Sequence, residues 1–157
     1  MGEVWGQTAA AYYGVDSVFF FSGGTEATAF NIRAANALKR AGFSVSTSPG
    51  GKNPKYFVSP DKSNSSWILY SKKYTDIQNP QQGFCAIMVC SEADKSCPVV
   101  PGAVARVSLP LEDPRYYDGT PSEQVKYDET SKQLAREMFF LFDYVKKQMN
   151  LKTESSK

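Results

Sequence analysis

Two short uninterrupted apolar runs organise the chain, Val18-Phe19-Phe20-Phe21 and Cys85-Ala86-Ile87-Met88-Val89-Cys90. Each is bounded by polar or glycine residues, a pattern that predicts parallel strands covered on both faces. Val104 to Leu109 is a third candidate strand, and Tyr56-Phe57-Val58 with Trp67-Ile68-Leu69-Tyr70 predicts a hairpin around a polar loop. Helical spacing marks three further segments. Residues 3 to 13 (EVWGQTAAAYY) place Val4, Ala11 and the aromatics at 5 and 12 near one face. Phe30 to Ala41 is amphipathic and stopped by Gly42. From Thr120 a cap, Pro121 and Glu123 predict a capping box, after which Leu134, Met138, Leu141 and Val145 form one apolar stripe.

The order helix, strand, helix, hairpin, strand, strand, helix implies an α/β sandwich. Residues 1 to 151 read as one domain and residues 152 to 157 (KTESSK) as a disordered tail. The first helix lacks a capping residue and an incoming turn, since only Met1-Gly2 precede its pattern. The expectation is that the chain starts inside a helix whose lead-in is absent.

Composition narrows the chemistry. The 157 residues carry 18 Lys+Arg against 16 Asp+Glu and no histidine. A Ser-His-Asp triad, a Cys-His pair and an HExxH zinc site each need an imidazole, so none is built from this chain. The basic residues are scattered among acids, which argues against nucleic acid as a partner. The apolar runs fall far short of the roughly 20 residues that cross a bilayer, so no membrane partner is expected. Three cysteines with no signal peptide suit a reducing cytoplasm.

Three places could carry chemistry. Cys90 and Cys97 in CSEADKSCP read either as a reversible redox pair or as two unrelated thiols, and Cys85 reads as core. Glu112-Asp113-Pro114-Arg115-Tyr116-Tyr117 reads as a displayed general acid or as an ordinary acidic turn. Ser22-Gly23-Gly24-Thr25-Glu26 matches neither a dinucleotide fingerprint nor a P-loop, and its glycines serve a tight turn or a close backbone approach. Tyr12, Tyr13, Phe139, Phe140 and Phe142 read as core and rim.

MGEVWG, FSGGTEATAFN, CSEADKSCP, EDPRYY and the closing helix stand in the order found in one superfamily. The chain resembles the low-molecular-weight protein tyrosine phosphatases and thioredoxin-coupled arsenate reductases along nearly its whole length. That resemblance implies a three-layer sandwich around a parallel sheet, with an inserted hairpin here and with the first strand and the C-x5-R loop missing. It implies cysteine-thiolate oxyanion chemistry on a phosphotyrosine protein or arsenate, without a required cofactor, and an inactive chain as it stands.

By the same resemblance Asp113 is the general acid, Ser22 supports the absent loop, and Cys90 with Cys97 is a redox relay emptied by thioredoxin. Tyr116 and Tyr117 match a cleft-shaping aromatic pair, although Arg115 departs from the family's DPYY spacing. Glu3 with Ser22 matches a potassium site. Two readings of other classes stand beside it: a non-catalytic binding module on the same fold, and a thiol redox protein working through Cys90 and Cys97 alone.

Overall fold

The computed structural model describes residues 1 to 60, 66 to 90 and 99 to 154. Helix α1 (Gly2–Tyr12) is followed by α2 (Ile32–Arg40), a three-stranded sheet of β1 (Ser44–Thr47), β2 (Tyr56–Ser59) and β3 (Trp67–Leu69), and a two-stranded sheet of β4 (Phe84–Cys90) and β5 (Ala103–Leu111). A 3-10 turn, η1 (Pro114–Tyr117), and a long helix, α3 (Glu123–Glu154), follow. The mixture of helices with a parallel strand pair is an α/β arrangement.

Both short helices stop where glycine allows a left-handed residue. Gly14 and Gly42 have φ of 62° and 102°. After each, the chain folds back in the same way: Val15 N–H donates to the Ala10 carbonyl, and Phe43 N–H to the Leu38 carbonyl. These close the α1 and α2 ends and pull Val15 and Phe43 into the interior. Asn31 caps the start of α2, its side-chain oxygen accepting from Arg33 N–H at 2.8 Å.

The hairpin forms as expected. β2 is the central strand, antiparallel to β3 with Phe57 opposite Ile68, and antiparallel to β1 with Val45 opposite Val58. β1, in a stretch rich in Ser, Gly and Pro, is a strand that its composition did not announce. Leu38, Val58, Leu69 and Val4 are fully buried between this sheet, α2 and α1.

A second core joins the ends of the chain. Ala9, Ala10 and Val15 pack against Met138 and Phe142 of α3, with Val18, Phe20, Ile87 and Leu109 leaning on them. Gly6 is small because the Phe20 ring occupies the space a Cβ would take. Trp5 belongs to both cores, its ring edge-on to Phe43 at 5.0 Å and its Nε1–H donating to the buried Ser131 hydroxyl at 2.9 Å.

Several expectations need correcting. Val18 to Phe21 is not a strand: Val18 and Phe20 face the helices, while Phe19 and Phe21 are exposed. It has no pairing partner among the described residues, so only one face is covered. Cys85 opens β4 as expected but is exposed rather than core. Ala11 and Tyr12 point outward, because α1 buries Val4, Gly6, Ala9 and Ala10 instead.

On α3 the buried stripe is Tyr127, Ser131, Leu134, Met138 and Phe142, and Leu141 lies one position off it, exposed. The cap of α3 is also displaced. Thr120 to Glu123 forms a turn, and Glu123 reaches back to Gly119 N–H at 2.6 Å rather than to Thr120, so the helix begins beyond Pro121. The helix continues to Glu154, past the boundary expected at residue 151. Among the described residues no helix is long and apolar enough to cross a membrane.

Candidate functional site

The Ser22-Gly23-Gly24 turn is strapped to the segment after β3. Gly24 N–H donates to the Lys72 carbonyl and Tyr74 N–H to the Gly24 carbonyl, both at 2.9 Å, a one-residue parallel bridge. The Asn79 amide donates to the carbonyls of Ser22, Lys73 and Tyr74. Gly23 passes so close to Tyr74 that a Cβ there would lie 2.5 Å from its Cα. The close backbone approach read from the sequence is therefore the reason for glycine at this position.

Held in this way, the Ser22 hydroxyl donates to a Glu3 carboxylate oxygen at 2.5 Å, joining the turn to the first turn of α1. The resemblance placed a potassium ion on these two residues. The structure joins the two side chains directly through this hydrogen bond. No group of three or more His, Cys, Asp or Glu side chains gathers among the described residues.

Asp113 caps η1. One carboxylate oxygen accepts from Arg115 N–H at 3.0 Å and the other pairs with the Arg115 guanidinium at 3.0 Å. Arg115, the residue that departs from the family spacing, thus occupies the carboxylate from its own loop. The two tyrosines part company. Tyr117 donates to Glu112 at 2.9 Å beneath the Lys126 ammonium, 5.1 Å from its ring centroid, while Tyr116 is 63% exposed. The Glu112 carboxylate, aided by desolvation, pushes the Tyr117 phenol above its usual range.

Behind the loop lies a polar network that the sequence did not reveal. The Tyr127 side chain, 2% exposed, accepts from the Asn31 amide at 2.7 Å and donates to Asp118 at 2.9 Å. Burial, then the Asp118 hydrogen bond, raises this phenol well above the ordinary tyrosine range. Arg33 spans Asp118 at 3.5 Å and Glu123 at 2.7 Å. The end of the acid loop is thereby fixed to the beginnings of α2 and α3. No spacing rule connects residues 31, 33, 118, 123 and 127, and the only local signal was Glu123 placed soon after a Thr.

Glu123 supplies a pH test of this network. The Gly119 N–H, then Arg33, holds its carboxyl below the usual glutamate range. A depressed folded-state value gives stability that is present above the unfolded value, near about pH 4.3, and lost as pH falls through the folded value. Glu123→Gln should therefore be less stable than the parent in urea at pH 7, with the difference closing at pH 2. A difference that stays constant across that range would show that the ion pair is not its source.

Cys90 closes β4, where the ladder sets it opposite Leu111, two residues before Asp113. The backbone of the expected redox residue and the acid loop therefore meet at the carboxyl ends of two parallel strands, the edge where α/β sheets bind ligands. Cys97 lies outside the described residues.

No model of a known protein family matches the chain. Over 114 residues it is 25% identical to arsenate reductase 2 of Staphylococcus epidermidis (strain RP62A) and, equally, to arsenate reductase of S. epidermidis (strain ATCC 12228). This chain is similar to arsenate reductases. The aligned stretch is 73% of this chain and 67% of each relative.

Proposed function

We propose that this chain is the larger part of an arsenate reductase that uses cysteine-thiolate chemistry and is recycled by thioredoxin. The observation that carries the reading is the β4 to β5 register, which brings Cys90 to the strand end that leads into Asp113. In this reading a thiolate from a C-x5-R loop attacks arsenate, and Asp113 protonates the departing oxygen. Cys90 then attacks the adduct sulfur, so that a disulfide forms as arsenic(V) leaves as arsenite. Cys97 attacks that disulfide at Cys90, frees the loop thiol, and leaves a Cys90 to Cys97 disulfide for thioredoxin to reduce.

In this reading the attacking thiolate belongs to a C-x5-R loop of the whole enzyme. None of Cys85, Cys90 and Cys97 is followed six positions later by arginine, so these 157 residues hold no C-x5-R sequence. A strand would arrive with that loop. Val18 and Phe20 lean on the same helices as Ile87 and Leu109, yet no ladder joins residues 18 to 21 to β4. A parallel strand between them would complete a sheet whose two faces make the three-layer sandwich of the superfamily. Ser22, tied to Glu3, would brace the loop from below.

Arsenate is favoured over a phosphotyrosine protein because Tyr117 is turned to Glu112 and Lys126, leaving Tyr116 without an aromatic partner to form a ring-binding cleft. The free thiols that the relay needs place its work in a reducing compartment such as the cytoplasm.

The test is arsenite formation by the protein extended through its upstream reading frame, with thioredoxin as reductant. Turnover is expected to require both Cys90 and Cys97 and to be absent from the 157-residue chain. Unchanged turnover in Cys90→Ser, or an in-frame stop immediately before Met1, would overturn the reading.

A further inference from the structure

While α3 buries Tyr127, Ser131, Leu134, Met138 and Phe142 on one face, its opposite face holds two large rings in water, Phe140 at 71% exposure and Tyr144 at 57%. Tyr12 of α1, also exposed, extends the patch through its ring contact with Phe139 at 5.3 Å. Single exposed apolar residues are ordinary. Adjoining aromatic rings rimmed by charge mark a surface that meets another protein.

The spacing and charge of this face say what covers it. Glu137, Phe140, Tyr144 and Lys147 stand three, four and three residues apart, the alternation of a coiled-coil seam. When two such seams run antiparallel, Phe140 can face the partner's Tyr144 while Glu137 faces the partner's Lys147. A two-fold axis across the helices repeats both contacts, so the face is complementary to itself. A parallel pair would instead set Glu137 against Glu137 and Lys147 against Lys147. Neither charge has to give up its present company. Glu137 holds Arg136 at 3.0 Å, and Lys147 holds Asp143 at 2.6 Å. Joined across the seam, Arg136, Glu137, the partner's Lys147 and the partner's Asp143 form a row of alternating sign. Such rim charges stay wet, so they set register and direction more than affinity.

We propose that two copies of this chain associate through antiparallel α3 helices, with the Phe140 and Tyr144 rings interleaved at the two-fold axis and a Glu137 to Lys147 pair at either end. Rings bury about 150 to 250 Å² each when fully covered, and these are partly covered already. With the stems of the flanking charged residues, the contact comes to roughly 1,000 Å² in total, the size of a reversible association. The proposal does not rest on arsenate chemistry and needs no C-x5-R loop.

The experiment is sedimentation equilibrium of the 157-residue chain at pH 7 from micromolar to millimolar concentration. A monomer to dimer equilibrium that stops at two copies is expected, with the dissociation constant raised about tenfold or more in Phe140→Ser. Glu137→Lys sets lysine against lysine at both ends of the seam, and Lys147→Glu sets glutamate against glutamate. Each should weaken the dimer by about tenfold, and the two together should restore it. All three positions lie away from the buried stripe of α3, and circular dichroism checks that the helices persist. A chain that stays monomeric throughout, a mass that grows past the dimer, or a dimer that ignores the single reversals would overturn the proposal. So would a double reversal that fails to recover what each single one lost.

Discussion

Asp113→Asn, made in the protein extended through its upstream frame, is expected to lower arsenite formation by about 10² to 10⁴-fold, the usual contribution of a positioned proton donor. The variant should fold normally. Asn retains the side-chain oxygen that accepts from Arg115 N–H, the bond by which residue 113 starts η1. What it loses is the proton and the charge that pairs with the Arg115 guanidinium. In the resting arrangement both carboxylate oxygens are taken by Arg115, so the acid must be released before it reaches a leaving oxygen. Arg115→Ala therefore separates the two roles: it should leave the fold intact and remove the competing partner. Turnover in Asp113→Asn within about threefold of the parent would assign leaving-group protonation elsewhere.

The second large effect is on stability. Leu38→Ala is expected to destabilise the fold by about 2 to 5 kcal/mol, read as a lower urea midpoint at unchanged slope. Leu38 has no exposed surface and is packed with Val4, Ala35, Phe43, Tyr56, Val58 and Leu69. Its neighbours come from α1, α2 and the hairpin sheet, which cannot all collapse into the space left by three missing carbons. Its carbonyl also closes the α2 end through Phe43 N–H, a backbone contact that survives the substitution. A loss below about 1 kcal/mol would show that α2 does not seal this core.

Local signals were legible where the interaction that fixes them is local. Gly42 was read as a helix stop because the left-handed residue and its folded-back hydrogen bonds lie within six positions, and Gly14 ends α1 in the same way without having been read so. The hairpin followed from alternation and a polar loop. Val18 to Phe21 was misread because an apolar run states only that a segment wants cover, whereas a ladder needs a neighbour from another part of the chain. Cys85 was misread for the same reason: it lies at the end of β4 rather than between two layers. Leu141 and Phe142 are both apolar, and only the turn of α3 against α1 decides which is buried.

At the candidate site, Asp113 was singled out by its loop and by the resemblance, Ser22 and Glu3 by the resemblance as a potassium site rather than as a mutual hydrogen bond, and the close approach of a glycine by chemistry. The Asn31, Tyr127 and Asp118 relay gave no signal in the sequence. Its hydrogen bonds join segments 96 and 9 residues apart, and polar side chains at such separations leave no periodic trace.

The Trp5 to Ser131 hydrogen bond spans 126 residues, and α1 gains its cover from α3. On the ribosome, α1 emerges well before α3 and must wait for it before its Ala9-Ala10 face is shielded from water. Until α3 has been made the nascent chain carries that face bare, which makes this interval the one when it is most open to chaperone capture or to clumping with its siblings.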